Sequence, residues 1–308
     1  MLPQLLATSS VQGGVFTHRQ ALLAGYSAAE IRHRVESGRW YRLARGGYVA
    51  AAGYDAEDAA GRHRLLVGAT LLVRRSPAVA SHASAAVLHG LPLLGPPPDA
   101  VHLTVAGRGR RRPGLVVHEG PLTADETVEV AGLPATTVAR TVMDLARQGP
   151  FRSAVVVADA ALARGLSREQ LEEQLRLRHA IPGIRRASRA VRFAAPGAES
   201  PGESLSRVAI AAHGLPVPEL QAVLFDAAGF VARVDFLFRA QGTVGEFDGA
   251  LKYTDRTVLL AEKVREDRVR ALGLEVVRWG WDAAFGDFGP TAARLWAAFA
   301  RAGGRRSA

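Results

Sequence analysis

The pattern of apolar and polar positions is sharpest between Arg233 and Lys252. Val231 to Phe238 is β-branched and aromatic, with Asp235 in its middle. Ala240, Gln241 and Gly242 read as a turn, and Thr243 to Asp248 returns as a second strand. Either plausible loop gives one register, with Asp235 opposite Glu246. Side chains alternate between the faces of a strand, so Glu246 and Asp248 point the same way as Asp235. Elsewhere the periodicity is helical. Thr17 to Gln20 and Ser27 to Glu30 are capping boxes, opening one helix to Ala24 and a second to about Ser37, separated by Gly25-Tyr26. Ala28, Ile31 and Val35 make the apolar side of the second helix, and Arg32, His33, Arg34 and Glu36 its outer side. Trp40 to Leu43 and Tyr48 to Ala51, joined through Arg45-Gly46-Gly47, read as a strand pair.

Two helices joined by a tight turn, the second basic, followed by an Arg-bearing hairpin, predict a winged helix-turn-helix over residues 1–58. Its expected DNA contacts are Arg32, His33 and Arg34 on the helix, with Arg42 and Arg45 on the wing. Residues 59–180 read as an α/β domain. Its helices are Ala60 to Val73, Ser81 to Leu88, Thr136 to Ala146, Phe151 to Ala163 and Ser167 to Leu175. Its strands are Val101 to Val105, Leu115 to His118 and Thr127 to Val130. Arg108, Arg110, Arg111 and Arg112 form a basic loop suited to straddling a phosphate backbone. His82, His89, His102 and His118 lack the HExxH type of spacing and read as structural, as does Asp144.

From Arg176 to Arg192 the chain carries no acid, and AAPGAESPGES then supplies Pro and Gly. Residues 181–197 are expected to be a basic linker, and 198–308 a last domain. That domain should hold a helix from Pro201 to His213, a strand from Ala222 to Asp226, the hairpin, a helix from Val258 to Leu272, a strand from Glu275 to Trp279 and a final helix, Thr291 to Ala302. The fold class expected is α+β multidomain, ending in a mixed sheet flanked by helices.

Composition narrows the chemistry. The chain has 308 residues, no Cys and a net charge of +10, which excludes thiol catalysis and favours a polyanionic partner, nucleic acid first. The lysines are Lys252 and Lys263 alone, both near the hairpin. No apolar run approaches the roughly 20 residues of a membrane span. MLPQLLATSS lacks a basic signal region, so a cytoplasmic location is expected and no membrane partner. Three carboxylates on one face of an apolar hairpin repel one another unless a divalent cation neutralises them. Oxygen ligands suit Mg²⁺ or Mn²⁺, with Asp235, Glu246 and Asp248 as the expected ligands.

These motifs carry two resemblances. The Asp, short hairpin, Glu-x-Asp-Gly and following basic residue resemble the PD-(D/E)XK nucleases, closest to the very-short-patch-repair (Vsr-like) endonuclease branch. The likeness runs from about Glu199 to Trp281, with Glu203 matching the helical acid upstream. It implies Mg-dependent phosphodiester hydrolysis, with Glu203, Asp235, Glu246, Asp248 and Lys252 as catalytic residues. Asp248 stands where the superfamily usually has Lys, and Lys252 where the Vsr-like branch often has His. The stretches AGYSAAEIRHRVESGRWYRLARGGYV, SHASAAVLHGLPL and GLPATTVARTVMDLA resemble the AbiEi-like antitoxins of type IV toxin–antitoxin systems, over about residues 5 to 150. That likeness implies DNA binding and a cognate toxin as partner. Three functions stay open: a DNA-targeted endonuclease, a non-catalytic antitoxin or repressor with a degenerate nuclease fold, and an RNA-acting toxin or antitoxin partner.

Overall fold

In the computed structural model, which describes residues 1–249 and 256–306 (side chains of 256–261 and 305–306 excepted), the chain is a mixed α+β protein of two compact units. One comprises Met1–Val157 with Leu166–Arg189, the other Ala158–Gly165 with Ala190–Ala308.

The first unit begins α1 (Pro3–Val11), β1 (Val15–Thr17), α2 (His18–Leu23), α3 (Ala28–Glu36), β2 (Trp40–Ala44) and β3 (Gly47–Ala50). The strands form a sheet in the order β1-β3-β2. Both capping boxes are present: Gln20 N–H donates to Thr17 Oγ1, and Glu30 N–H to Ser27 Oγ, each at 3.2 Å. Such caps satisfy amides that the helix leaves orphaned, typically contributing about 1 kcal/mol. Leu5, Phe16, Ile31 and Trp40 are buried together beneath α3. The first helix was not expected from the sequence, and Ala28, expected on the apolar side of α3, is exposed.

After α4 (Ala51–Asp55) and α5 (Ala59–Leu72) come β4 (Val79–Ala80), α6 (His82–Leu88), β5 (Val101–Val105), β6 (Arg110–Arg112), β7 (Leu115–Glu119), β8 (Thr127–Val130), β9 (Leu133–Thr136) and α7 (Val138–Gln148). The six strands make one mixed sheet in the order β6-β7-β5-β4-β9-β8. The basic loop expected at Arg108 to Arg112 is corrected in part. Arg110–Arg112 is a strand, held to Leu115–Val117 by backbone pairing that places no demand on its side chains. Strands β4 and β9 were also missed. On α7, Arg140 is buried between Asp144, at 2.9 Å, and Glu126, at 2.7 Å. Glu126 also pairs with Arg178, and Asp144 lies 3.6 Å from Arg147. Buried charges are tolerated when paired in this way.

Helix α8 (Phe151–Ala163) crosses the division between units, and α9 (Arg168–Leu177) returns to the first. The stretch expected to be a linker contains a helix, α10 (Ile184–Phe193), with Ala187, Ala190 and Val191 buried. Arg185, Arg186, Arg189 and Arg192 fall on the other, exposed face of this helix, which leaves its Ala and Val stripe apolar.

The second unit contains α11 (Pro201–Ala212), β10 (Glu219–Asp226), β11 (Gly229–Phe238), β12 (Thr243–Phe247), α12 (Arg256–Ala271), β13 (Glu275–Trp279) and α13 (Gly289–Arg306). Its sheet runs β10-β11-β12-β13, antiparallel twice and then parallel, with α12 supplying the crossover that a parallel pair needs. Val234, Leu237, Val244 and Val269 form its core. Gly245 has no alternative: a Cβ there would lie 2.5 Å from the Trp279 ring.

Candidate nucleic-acid interface and carboxylate cluster

The N-terminal interface is built from what α3 and the hairpin leave outside the core. Ile31 anchors α3, so Arg32 and His33 on its other side are exposed. Arg42 and Arg45 are exposed on the β2–β3 hairpin, whose tip turns at Gly46 with a φ of 87°. That tip is tied to the start of α2, where His18 N–H donates to Gly46 O at 2.9 Å. Arg34 is placed differently. Its guanidinium lies 4.8 Å from the Tyr26 ring centroid and 5.4 Å from that of Trp40. A guanidinium stacked on rings already has an interaction partner, so Arg34 props the domain as well as charging it.

In the middle sheet, Arg110, Arg111 and Arg112 are exposed along β6, and Arg108 is exposed just before it. Three of the histidines meet. His82 stacks on His118 with centroids 3.6 Å apart, and His102 Nδ1 lies 3.0 Å from His118 Nε2. Burial pushes His82 and His118 each down to about 3. Stacked rings hold their nitrogens in parallel planes, and among the described residues no three His, Asp or Glu side chains are placed to hold a metal ion. His89 stands apart, with Nε2 2.7 Å from Thr136 O.

In the second unit, β11 pairs with β12 from Phe238–Thr243 to Phe236–Gly245, and Asp235 and Glu246 each lie one residue beyond the last pair. Asp235 Oδ2 accepts from Phe247 N–H at 2.9 Å, and its Oδ1 from Gln221 at 3.3 Å. Gln221 also donates to Glu203 at 2.9 Å, joining the helical acid to the hairpin. Glu203 additionally accepts from Glu199 N–H and Ser200 Oγ, at 2.9 and 2.7 Å. Burial pushes Asp235 up from 3.8 to about 6; Glu203 and Glu246 add repulsion, and the Phe247 and Gln221 hydrogen bonds oppose it.

Glu246 and Asp248 are balanced by arginines. Arg265 donates to both Glu246 oxygens, at 2.9 and 2.8 Å, and Arg278 lies 3.1 Å from Glu246 and 3.7 Å from Asp248. Glu262 pairs with the same two guanidiniums, and its hydrogen bond from Arg265 holds it down at about 2. Burial raises Asp248 above its ordinary value, with Arg278 opposing. Glu203 and Asp235 are thus joined through Gln221, while Glu246 and Asp248 sit on the arginine side. Lys252 lies outside the described residues.

The sequence reading missed Gln221, Arg265 and Arg278. One signal was available: Arg278 is the lone charge in Val276-Val277-Arg278-Trp279, on a strand that pairs it with Glu246. Gln221 carried none, because its φ of 51° breaks the strand alternation.

Residues 4–51 match a family model described as "Transcriptional regulator, AbiEi antitoxin". The likeness expected to continue to residue 150 lies beyond that match. Two proteins of Mycobacterium tuberculosis, uncharacterized protein MT2308 of strain CDC 1551 / Oshkosh and uncharacterized protein Rv2248 of strain ATCC 25618 / H37Rv, are each 31% identical to the chain over 220 residues. That span is 71% of this chain and 80% of each relative. The chain belongs to the family of these mycobacterial proteins.

Proposed function

We propose that the protein is a DNA-binding regulator that docks α3 in the major groove and lays the β2–β3 wing along the backbone. The observation that carries this is the order α1-β1-α2-α3-β2-β3, with Arg32 and His33 exposed on a capped α3 and Arg42 and Arg45 exposed on the hairpin. That is the order of a winged helix-turn-helix, in which the second helix of the pair reads base edges and basic side chains position the phosphates. The description of residues 4–51 as an antitoxin-type regulator supports the reading and suggests a cognate toxin as a protein partner. The test is selection of duplex fragments from a random pool by the full chain. Enrichment of one sequence class supports the reading, and recovery without enrichment or no recovery contradicts it.

A second reading rests on the other unit: metal-dependent phosphodiester hydrolysis by a Vsr-like PD-(D/E)XK domain. Its support is the order helix, three antiparallel strands, helix, parallel strand, with Glu203, Gln221 and Asp235 hydrogen-bonded together at one place. As placed, the carboxylates do not fit Mg²⁺ or Mn²⁺, because Glu246 gives both oxygens to Arg265. Nicking of supercoiled plasmid that needs Mg²⁺ or Mn²⁺ and disappears in Asp235→Ala supports the second reading. Intact plasmid in both ions removes it.

A further inference from the structure

The first unit contains a cavity of about 820 Å³ between the segment after α5 and the β5–β7 strands. Three guanidiniums, those of Arg74, Arg108 and Arg110, line it, and none of its lining residues is acidic. Among the described residues none of the three makes an ion pair with a carboxylate. Their spacing follows from the fold. Arg74 ends the turn after α5, and Arg110 stands on the edge strand β6, where alternation sets Arg110 and Arg112 on the face opposite Arg111. The burial of Arg74 and repulsion from Arg110 and Arg112 disfavour its charged form.

Two polar atoms in the same wall are unsatisfied. Arg74 Nε and Thr104 Oγ1 are shut off from solvent and have no hydrogen-bond partner among the described residues. Thr104 is 1% exposed. Leaving a buried donor unpaired costs roughly 1–3 kcal/mol, and more when the group is charged. Converging cations without acids raise that cost. An anionic ligand lying against the exposed Arg108 and Arg110 offsets the repulsion that these guanidiniums exert on Arg74. The remaining wall is mixed: Ser76, Thr123 and Thr127 bring hydroxyls, whereas Val79, Val105 and Leu122 bring apolar surface. Its volume lies within the roughly 300–1,000 Å³ of small-molecule pockets, far more than a lone inorganic anion needs.

We propose that this cavity binds a nucleotide-sized phosphorylated small molecule, its phosphates on Arg74, Arg108 and Arg110 and its flat apolar part against Val79, Val105 and Leu122. The planar fork of arginine suits phosphate, and charge-assisted hydrogen bonds there are about twice as strong as neutral ones. The lining of this site shares no residue with α3 or the β2–β3 hairpin, so the proposal stands whether or not those elements bind DNA.

The test uses the full chain and isothermal titration with ADP, ATP, inorganic pyrophosphate and a 20-base-pair duplex. One nucleotide should bind per chain, and Arg110→Met should weaken it at least about tenfold, the loss of roughly 1.4 kcal/mol. Arg110 is exposed on an edge strand, so this variant keeps the fold. Arg74→Met should have a larger effect, and a thermal melt matching the parent would separate lost binding from lost folding. Pyrophosphate should compete, and the duplex should not. No binding of any of the three anions at about 5 mM would overturn the proposal. Nucleotide affinity unchanged in Arg110→Met and Arg74→Met would overturn it, as would stoichiometric displacement of the nucleotide by duplex, which would make the arginines a nucleic-acid contact.

Discussion

Asp235→Asn should stabilise the second unit at neutral pH and do nothing in acid. Asp235 is partly buried beside Glu203 and Glu246, and its carboxyl titrates at about 6 instead of 3.8. Between those values the folded unit holds a proton that the unfolded chain has released. Stability linked to this group is therefore full below about pH 4 and is lost as pH rises through about 6. A shift of about two pH units corresponds to ~3 kcal/mol at 1.36 kcal/mol each. Because part of the group meets solvent, screening reduces this to ~1–2 kcal/mol. Asparagine keeps the shape and the acceptor for the Phe247 amide, so it removes the charge and loses only the longer hydrogen bond, the one from Gln221 at 3.3 Å. The second unit holds Trp279, Trp281 and Trp296. In a Trp40→Phe background, tryptophan fluorescence during urea unfolding reports on that unit, with a chelator present. The expected gain of ~1–2 kcal/mol at pH 7.5 should shrink to about zero at pH 4. A variant that is less stable at pH 7.5, or a gap that persists unchanged at pH 4, would refute the electrostatic reasoning.

Three further outcomes follow from other parts of the chain. Arg140→Met should cost the first unit about 3–5 kcal/mol in urea unfolding, because Asp144 and Glu126 lose their central partner; adding Asp144→Leu should recover part of it. The first unit should respond to acid in the opposite sense to Asp235. His82 and His118 are held neutral at about 3, so the unfolded chain binds more protons between that value and 6.5, and stability falls as pH is lowered through that window; replacing His118 with Phe should flatten the fall. Limited trypsin should cut early at the exposed Arg185, Arg186, Arg189 or Arg192, where α10 spans the division between the units. Survival of the intact chain under those conditions would mean that the domain division near α10 is not a point of independent opening.

The local features of the chain were legible because their causes are local. The capping boxes at Thr17 and Ser27 each need only four consecutive residues, and the helices start where they stand. The hairpin register from Phe238–Thr243 to Phe236–Gly245 followed from one short turn. What stayed hidden depends on distant partners or on backbone. Arg265 and Arg278 reach Glu246 from α12 and β13, across 19 and 32 positions of chain, and only the isolated charge of Arg278 in an apolar strand gives a local sign of either. The three arginines of β6 do not resemble a strand, since only their amides and carbonyls hold them to β7. The same limit applies to Arg34. Its helix position announces an outward charge, but Tyr26 and Trp40 arrive from the turn and the next strand to take it up.

The central claim is that α3 and the wing bind duplex DNA through their exposed basic side chains. It is tested most directly by fluorescence anisotropy of the full chain with a labelled duplex, titrated over salt, against the variant Arg32→Ala/Arg42→Ala/Arg45→Ala. Each phosphate contact releases counterions and contributes a slope of about −0.9 to log K against log salt. The account predicts weaker binding and a slope shallower by about 2 to 3, with the thermal melt of the protein unchanged. Equal affinity and an equal slope in parent and variant would contradict it.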